Sequence, residues 1–189
     1  MDTATDERAA IARMRSGDIA GLSALVETYQ LKATRTAYLI VRDQALAEDI
    51  TQSAFIRAYE RIAQFDAAAS FGPWFLRSVA NDAIKAVERA RRSVPFDDDV
   101  DERSSPADTL IDPAQGPSAL FEAAEDAEAL WALLGRLPAR QRAVTVLRYF
   151  DGLSDAEIAD YLDTPAATVR WRLFAARSKL RIWLGARAE

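Results

Sequence analysis

Between Ser154 and Leu184 the chain holds two short helical patterns separated by a break too tight for anything but a turn. Ser154 followed by Glu157 is a capping-box pair, in which the hydroxyl and the carboxylate each satisfy one orphan N–H at a helix start. A helix must begin there. Ile158, Ala159 and Leu162 give it an apolar stripe, and Asp163, Thr164 and Pro165 stop it, since proline suits the first turn of a new helix and not the continuation of an old one. In the helix that follows, Val169, Leu173, Ala176, Leu180 and Leu184 recur in steps of three and four, so one stripe is buried. Arg170, Arg177 and Arg181 flank that stripe on one side and Arg172 and Lys179 on the other, while Trp171, Phe174 and Ser178 point away from it. From Thr164 to Glu189 there are six basic residues against one acidic. A short capped helix, a tight turn and a longer basic helix make a helix-turn-helix, whose second helix enters the DNA major groove. Solvated arginines on a surface helix would explain the charge alone, but not the cap, turn and lopsided charge together.

The net charge of −5 opposes DNA binding only until it is divided along the chain. Residues 1–92 carry 13 basic and 12 acidic groups (+1), residues 93–128 carry 1 and 11 (−10), and residues 129–189 carry 10 and 6 (+4). The acidity is concentrated in the middle. Residues 93–122 contain Pro95, Pro106, Pro113 and Pro117 and the run Asp97-Asp98-Asp99, with little periodicity, which predicts a flexible, self-repelling linker. The remainder predicts an all-α chain of two helical domains, residues 1–92 and 123–189, with no strand pattern, repeat or glycine-rich phosphate loop.

In the first domain, a short helix over 6–15 ends at Ser16 and Gly17, and Asp18 caps a long one reaching Val41. Arg42, Asp43 and Gln44 form the break before a third helix over 45–65, apolar at Ile50, Ala54, Phe55, Ala58, Tyr59 and Ile62. After an Ala-rich loop, with Ser70 as a cap, Pro73 opens a fourth helix that ends in Arg89, Arg91 and Arg92. Phe71, Trp74 and Phe75 beside Arg77, Asn81 and Lys85 suit either a core or a stacking platform for unpaired bases, and spacing leaves both readings open.

With half its residues hydrophobic the chain can build real cores, and it has neither Cys nor His. Disulfides, zinc sites and histidine acid–base chemistry are therefore excluded, and no nucleophile–base set can be drawn. No cofactor, no metal and no enzymatic activity are expected. Without a membrane-length apolar run or signal-peptide character at the N-terminus, the expected location is cytoplasmic.

Three stretches resemble the extracytoplasmic-function (ECF) group of bacterial RNA polymerase sigma factors. They are Ala47-Glu48-Asp49-Ile50-Thr51-Gln52-Ser53-Ala54-Phe55-Ile56-Arg57-Ala58-Tyr59, Trp74-Phe75-Leu76-Arg77-Ser78-Val79-Ala80-Asn81, and Leu137-Pro138-Ala139-Arg140-Gln141-Arg142 leading through Leu153–Ala159 to Thr168–Leu173. The resemblance implies a sigma-2-like bundle and a sigma-4-like helix-turn-helix. It also implies that Asp49, Gln52, Phe55 and Arg57 dock on core RNA polymerase, and that Trp74, Arg77, Asn81 and Lys85 recognise and open the minus-ten promoter element. Thr168, Arg170, Trp171, Arg172, Arg177 and Lys179 would contact the minus-thirty-five element, with an anti-sigma protein as a further partner. The chain departs from the family pattern at Trp171, Phe174 and Ala175, where polar or basic residues are usual, at Lys85, where Asp is common, and at Ser53, where an acidic residue is common. Reading of DNA by apolar contact and shape is the consequence expected of the first departure. Two other functions fit the residues: a stand-alone dimeric DNA-binding regulator on a palindrome, and a sigma mimic that sequesters an anti-sigma protein without touching DNA.

Overall fold

The computed structural model describes residues 3–66, 69–92 and 127–185. Among them there are eight α-helices and no strand: α1 (Thr3–Arg15), α2 (Ala20–Val41), α3 (Gln44–Arg61), α4 (Phe71–Arg92), α5 (Ala127–Arg136), α6 (Ala139–Tyr149), α7 (Asp155–Leu162) and α8 (Ala166–Gly185), with a 3-10 turn at Ile62–Gln64. The chain divides into two compact units, Met1–Ala86 and Val87–Glu189. The acidic segment 93–122 expected to link them lies outside the described residues.

In the first unit each boundary has a chemical cause. Gly17 takes a positive φ of 84° and ends α1, after which the Asp18 carboxylate accepts the Ala20 N–H at 2.9 Å and starts α2. α2 stops at Arg42, a left-handed residue (φ 65°) whose N–H returns to the Tyr38 carbonyl. Asp43 then caps α3 by accepting the Leu46 N–H at 3.0 Å, so Gln44, expected in the break, is already helical. α1 crosses α2 at Gly21, where a Cβ would stand 2.3 Å from the Ala10 carbonyl oxygen. Only glycine lets the two backbones approach that closely.

The core of this unit is aromatic. Phe71 and Phe75 of α4 are fully buried and stacked at 5.5 Å, with Phe55 of α3 4.3 Å from Phe75 and Tyr29 of α2 5.6 Å from Phe71. Such clusters combine large buried area with favourable offset and edge-on ring contacts. α3 ends four residues earlier than its periodicity suggests, because the chain tightens into the 3-10 turn that delivers Phe65 to the same cluster.

In the second unit Leu130, Leu133, Leu134 and Leu137 of α5 and its exit pack on Ala176 and Leu180 of α8, with Trp131, Phe150, Trp183 and Leu184 at the margin. The Arg136 guanidinium lies 4.4 Å over the Trp183 ring, a cation–π contact tying the two helices. α6 packs against both α7 and α8.

Candidate nucleic-acid interface

The helix-turn-helix forms as the residues require. The Ser154 N–H donates to Glu157 Oε2 at 2.8 Å while the Glu157 N–H donates to Ser154 Oγ at 3.3 Å, completing the capping box. The Ser154 hydroxyl, which donates to the same Oε2 at 2.6 Å, and after it the Ser154 N–H hold the Glu157 carboxyl below its usual range. A group depressed by folding stabilises above its unfolded value, and that contribution disappears as pH falls through the folded one. Ser154→Ala removes that cap and is expected to lower stability at neutral pH and to flatten the acid side of the stability curve, as read by thermal melts across pH. Asp163 closes α7 in the left-handed conformation (φ 48°), and the Pro165 carbonyl accepts the N–H groups of Thr168 and Val169 to begin α8. Ile158 and Val169 are fully buried and join α7 to the α8 stripe. Burial, then the Asp151 and Glu157 carboxylates, push the Tyr161 phenol up to about 12, so it stays neutral.

α8 divides the six residues expected on DNA into two groups. At 100° per residue Arg170, Trp171 and Arg177 share one side with Phe174, Ser178 and Arg181. Arg170, Phe174 and Arg181 are exposed there, Phe174 to 46%. Thr168, Arg172 and Lys179 lie on the opposite flank. Arg172 is only 8% exposed, so its expected direct contact with DNA is corrected: its stem is enclosed on the packed side of the helix. Arg181 and Phe174, left out of the expected contact set, occupy the open face, as their spacing from Arg170 required.

On α4, Trp74, Arg77, Asn81 and Lys85 recur at three and four and form one stripe. Arg77 and Lys85 are exposed. The Trp74 ring is half-buried, 5.1 Å from Phe65 and 5.6 Å from Phe71, so the core holds one side of it and leaves an edge open. Phe71 and Phe75 belong wholly to the core.

α3 turns a separate face outward. Asp49 and Gln52 are exposed, and Ser53, Ile56 and Glu60 share their side, with Ile56 52% exposed. Ile56 stands exposed amid these polar residues and drew no attention in the sequence. Phe55 is 5% exposed and stacked on Phe75, so its expected contact with polymerase is corrected to a core role: it sits on the far side of the helix from Asp49. Arg57 is half-buried and ion-paired with Asp82 of α4, which also lies 3.9 Å from Lys85. Arg57 and Asp82 thus fasten α3 to α4.

The two units correspond to two known sequence families: sigma-70 region 2 matches residues 25–93, and sigma-70 region 4 matches residues 127–180. The fold is that of a sigma-70-type protein. Along most of its length the chain is 30% identical to the ECF RNA polymerase sigma factor SigW of Bacillus subtilis, over 173 residues covering 90% of this chain and 92% of that protein. It is 31% identical to the RNA polymerase sigma-H factor of Pseudomonas aeruginosa, over 95% of this chain and 94% of the relative. Another relative, from Xanthomonas campestris, is much longer, and the chain spans 38% of its length. The sigma factor RpoE, solved in complex with the anti-sigma factor NepR from Bartonella quintana, shares the fold with a TM-score of 0.62 and 21% identity, over 86% of this chain and 96% of that one. The chain belongs to the ECF RNA polymerase sigma factors.

Proposed function

We propose that this sigma factor binds core RNA polymerase through the outward face of α3, recognises and opens the minus-ten element with the α4 stripe, and reads the minus-thirty-five element with α8. The observation that carries this reading is α8 itself: a capped turn presents Arg170, Phe174, Arg177 and Arg181 on one face, basic along its length and apolar in the middle. Phosphates favour the arginines, and base edges accept the ring. No bond is made or broken by the protein, so initiation relies on binding energy alone: unpairing costs a few kcal/mol, offset by stacking and phosphate contacts. Among the described residues no helix is long and apolar enough to cross a membrane, in keeping with action in the cytoplasm. RpoE's complex with NepR supports an anti-sigma protein as a partner of this chain too.

Run-off transcription with core polymerase on a matched promoter tests the whole reading. Ile56→Arg is expected to weaken core binding about tenfold, the loss typical of a buried interface anchor, while leaving thermal stability unchanged because the side chain is already exposed. Binding of an anti-sigma protein without any transcription would identify a mimic instead. Sequence-specific binding to a palindrome without core polymerase would identify a stand-alone regulator.

A further inference from the structure

α1 contributes no residue to the three faces described above, yet its polar side chains converge on one connection. The Arg15 Nε–H donates to the Ile62 carbonyl at 3.3 Å, and Nη2 of the same guanidinium donates to the Phe65 carbonyl. Two turns earlier, Glu7 Oε1 accepts the Phe71 N–H at 2.9 Å and Oε2 accepts the Tyr29 hydroxyl. Glu7, Ile11 and Arg15 recur every four residues and so share one side of α1, with the two charges about 12 Å apart along its axis.

The signs match the ends they hold. Carbonyls left over where a helix finishes favour a cation, and N–H groups left over where one starts favour a carboxylate. Arg15 holds the exit of the 3-10 turn and Glu7 holds the entrance of α4. The entrance is fixed from a second direction as well, since a Cβ at Gly72 would stand 2.8 Å from the Tyr29 ring whose hydroxyl Glu7 accepts. Trp74, first residue of the minus-ten stripe, packs on Phe65 and Phe71, the two residues whose backbones are held.

We propose that α1 is a brace that presets the start of α4 for promoter opening, with Glu7 and Arg15 as positioning residues that touch no DNA. The proposal rests on the assignment of the α4 stripe to the minus-ten element. Ordering a backbone costs about 1–2 kcal/mol per residue, and a site that must also capture an unpaired base opens DNA faster when that cost has been met in advance.

The test uses full-length protein reconstituted with core polymerase, and 2-aminopurine fluorescence in the minus-ten region reports opening. The same promoter is compared as a duplex and with that region already unpaired by mismatches. For Glu7→Ala and Arg15→Ala the opening rate on the duplex is expected to fall about tenfold, the scale for one or two lost charge-assisted bonds. Activity on the pre-opened template should stay within about twofold of wild type. Glu7→Gln keeps an acceptor for the Phe71 N–H and should lose less. It also decides the matter if the alanine variants fail to bind core enzyme. Equal losses on both templates would make α1 a purely structural helix and overturn the brace, as would unchanged opening of the duplex. Failure of the wild-type protein to open any duplex promoter would instead remove the minus-ten assignment on which the brace rests.

Discussion

Phe75→Ala is expected to unfold the first unit rather than merely weaken a DNA contact. The ring is fully buried, with Phe55 at 4.3 Å, Phe71 at 5.5 Å and Tyr29 at 6.2 Å. Removing a buried phenyl costs about 3–5 kcal/mol, from lost transfer energy and from the cavity left among rings too rigid to close it. A domain's whole stability is only about 5–15 kcal/mol. Urea denaturation followed by far-UV circular dichroism should show the midpoint falling sharply, with polymerase binding and promoter activity lost together. Trp74→Ala should behave differently, because that ring is only half-buried: promoter opening should suffer more than stability. Were Phe75→Ala to leave the urea midpoint in place while abolishing opening, Phe75 would be a stacking platform and its place in the core would be wrong.

That contrast marks where sequence reasoning reaches its limit. Helices, caps and the turn were legible because their causes are local: the Ser154–Glu157 box, the Asp18 cap and the spacing of Val169, Leu173, Ala176 and Leu180 all act within one or two turns. The aromatic trio at 71, 74 and 75 was ambiguous because one residue is a 100° step and the width of the buried arc depends on which other helices pack there. Phe55 covers Phe75 and Phe65 covers Phe71, while Phe65 reaches only part of Trp74, which stays half-buried. The same limit explains Phe55 and Arg172, which match family positions expected on a partner yet lie on the enclosed side of their helices. Ile56 escaped notice for the opposite reason, since nothing in one apolar letter says that its face is open. Contacts spanning the chain, such as Glu7 with Phe71 or Arg57 with Asp82, leave no periodic trace at all.

Promoter binding through α8 should separate into a salt-dependent part and an apolar part. Each phosphate neutralised by a cation contributes about −0.9 to the slope of log affinity against log salt. Arg170, Arg177 and Arg181 share the outward face of α8. Raising salt fourfold is therefore expected to cost wild-type holoenzyme roughly fortyfold more promoter affinity than it costs the variant R170A/R177A/R181A, measured by fluorescence anisotropy on a labelled promoter. Phe174 lies between those arginines with no charge to contribute, so Phe174→Ala should leave the slope untouched. What the ring supplies is contact with the thymine methyl, which marks that base in the major groove. Replacing a minus-thirty-five thymine by deoxyuridine deletes only that methyl, and burial of one such group is worth about 0.8 kcal/mol, or about fourfold in affinity. Wild-type protein should lose that factor at one thymine and Phe174→Ala should lose nothing further there. If the variant still discriminates thymine from deoxyuridine as the wild type does, the ring does not read the base, and the arginines bind DNA without its help.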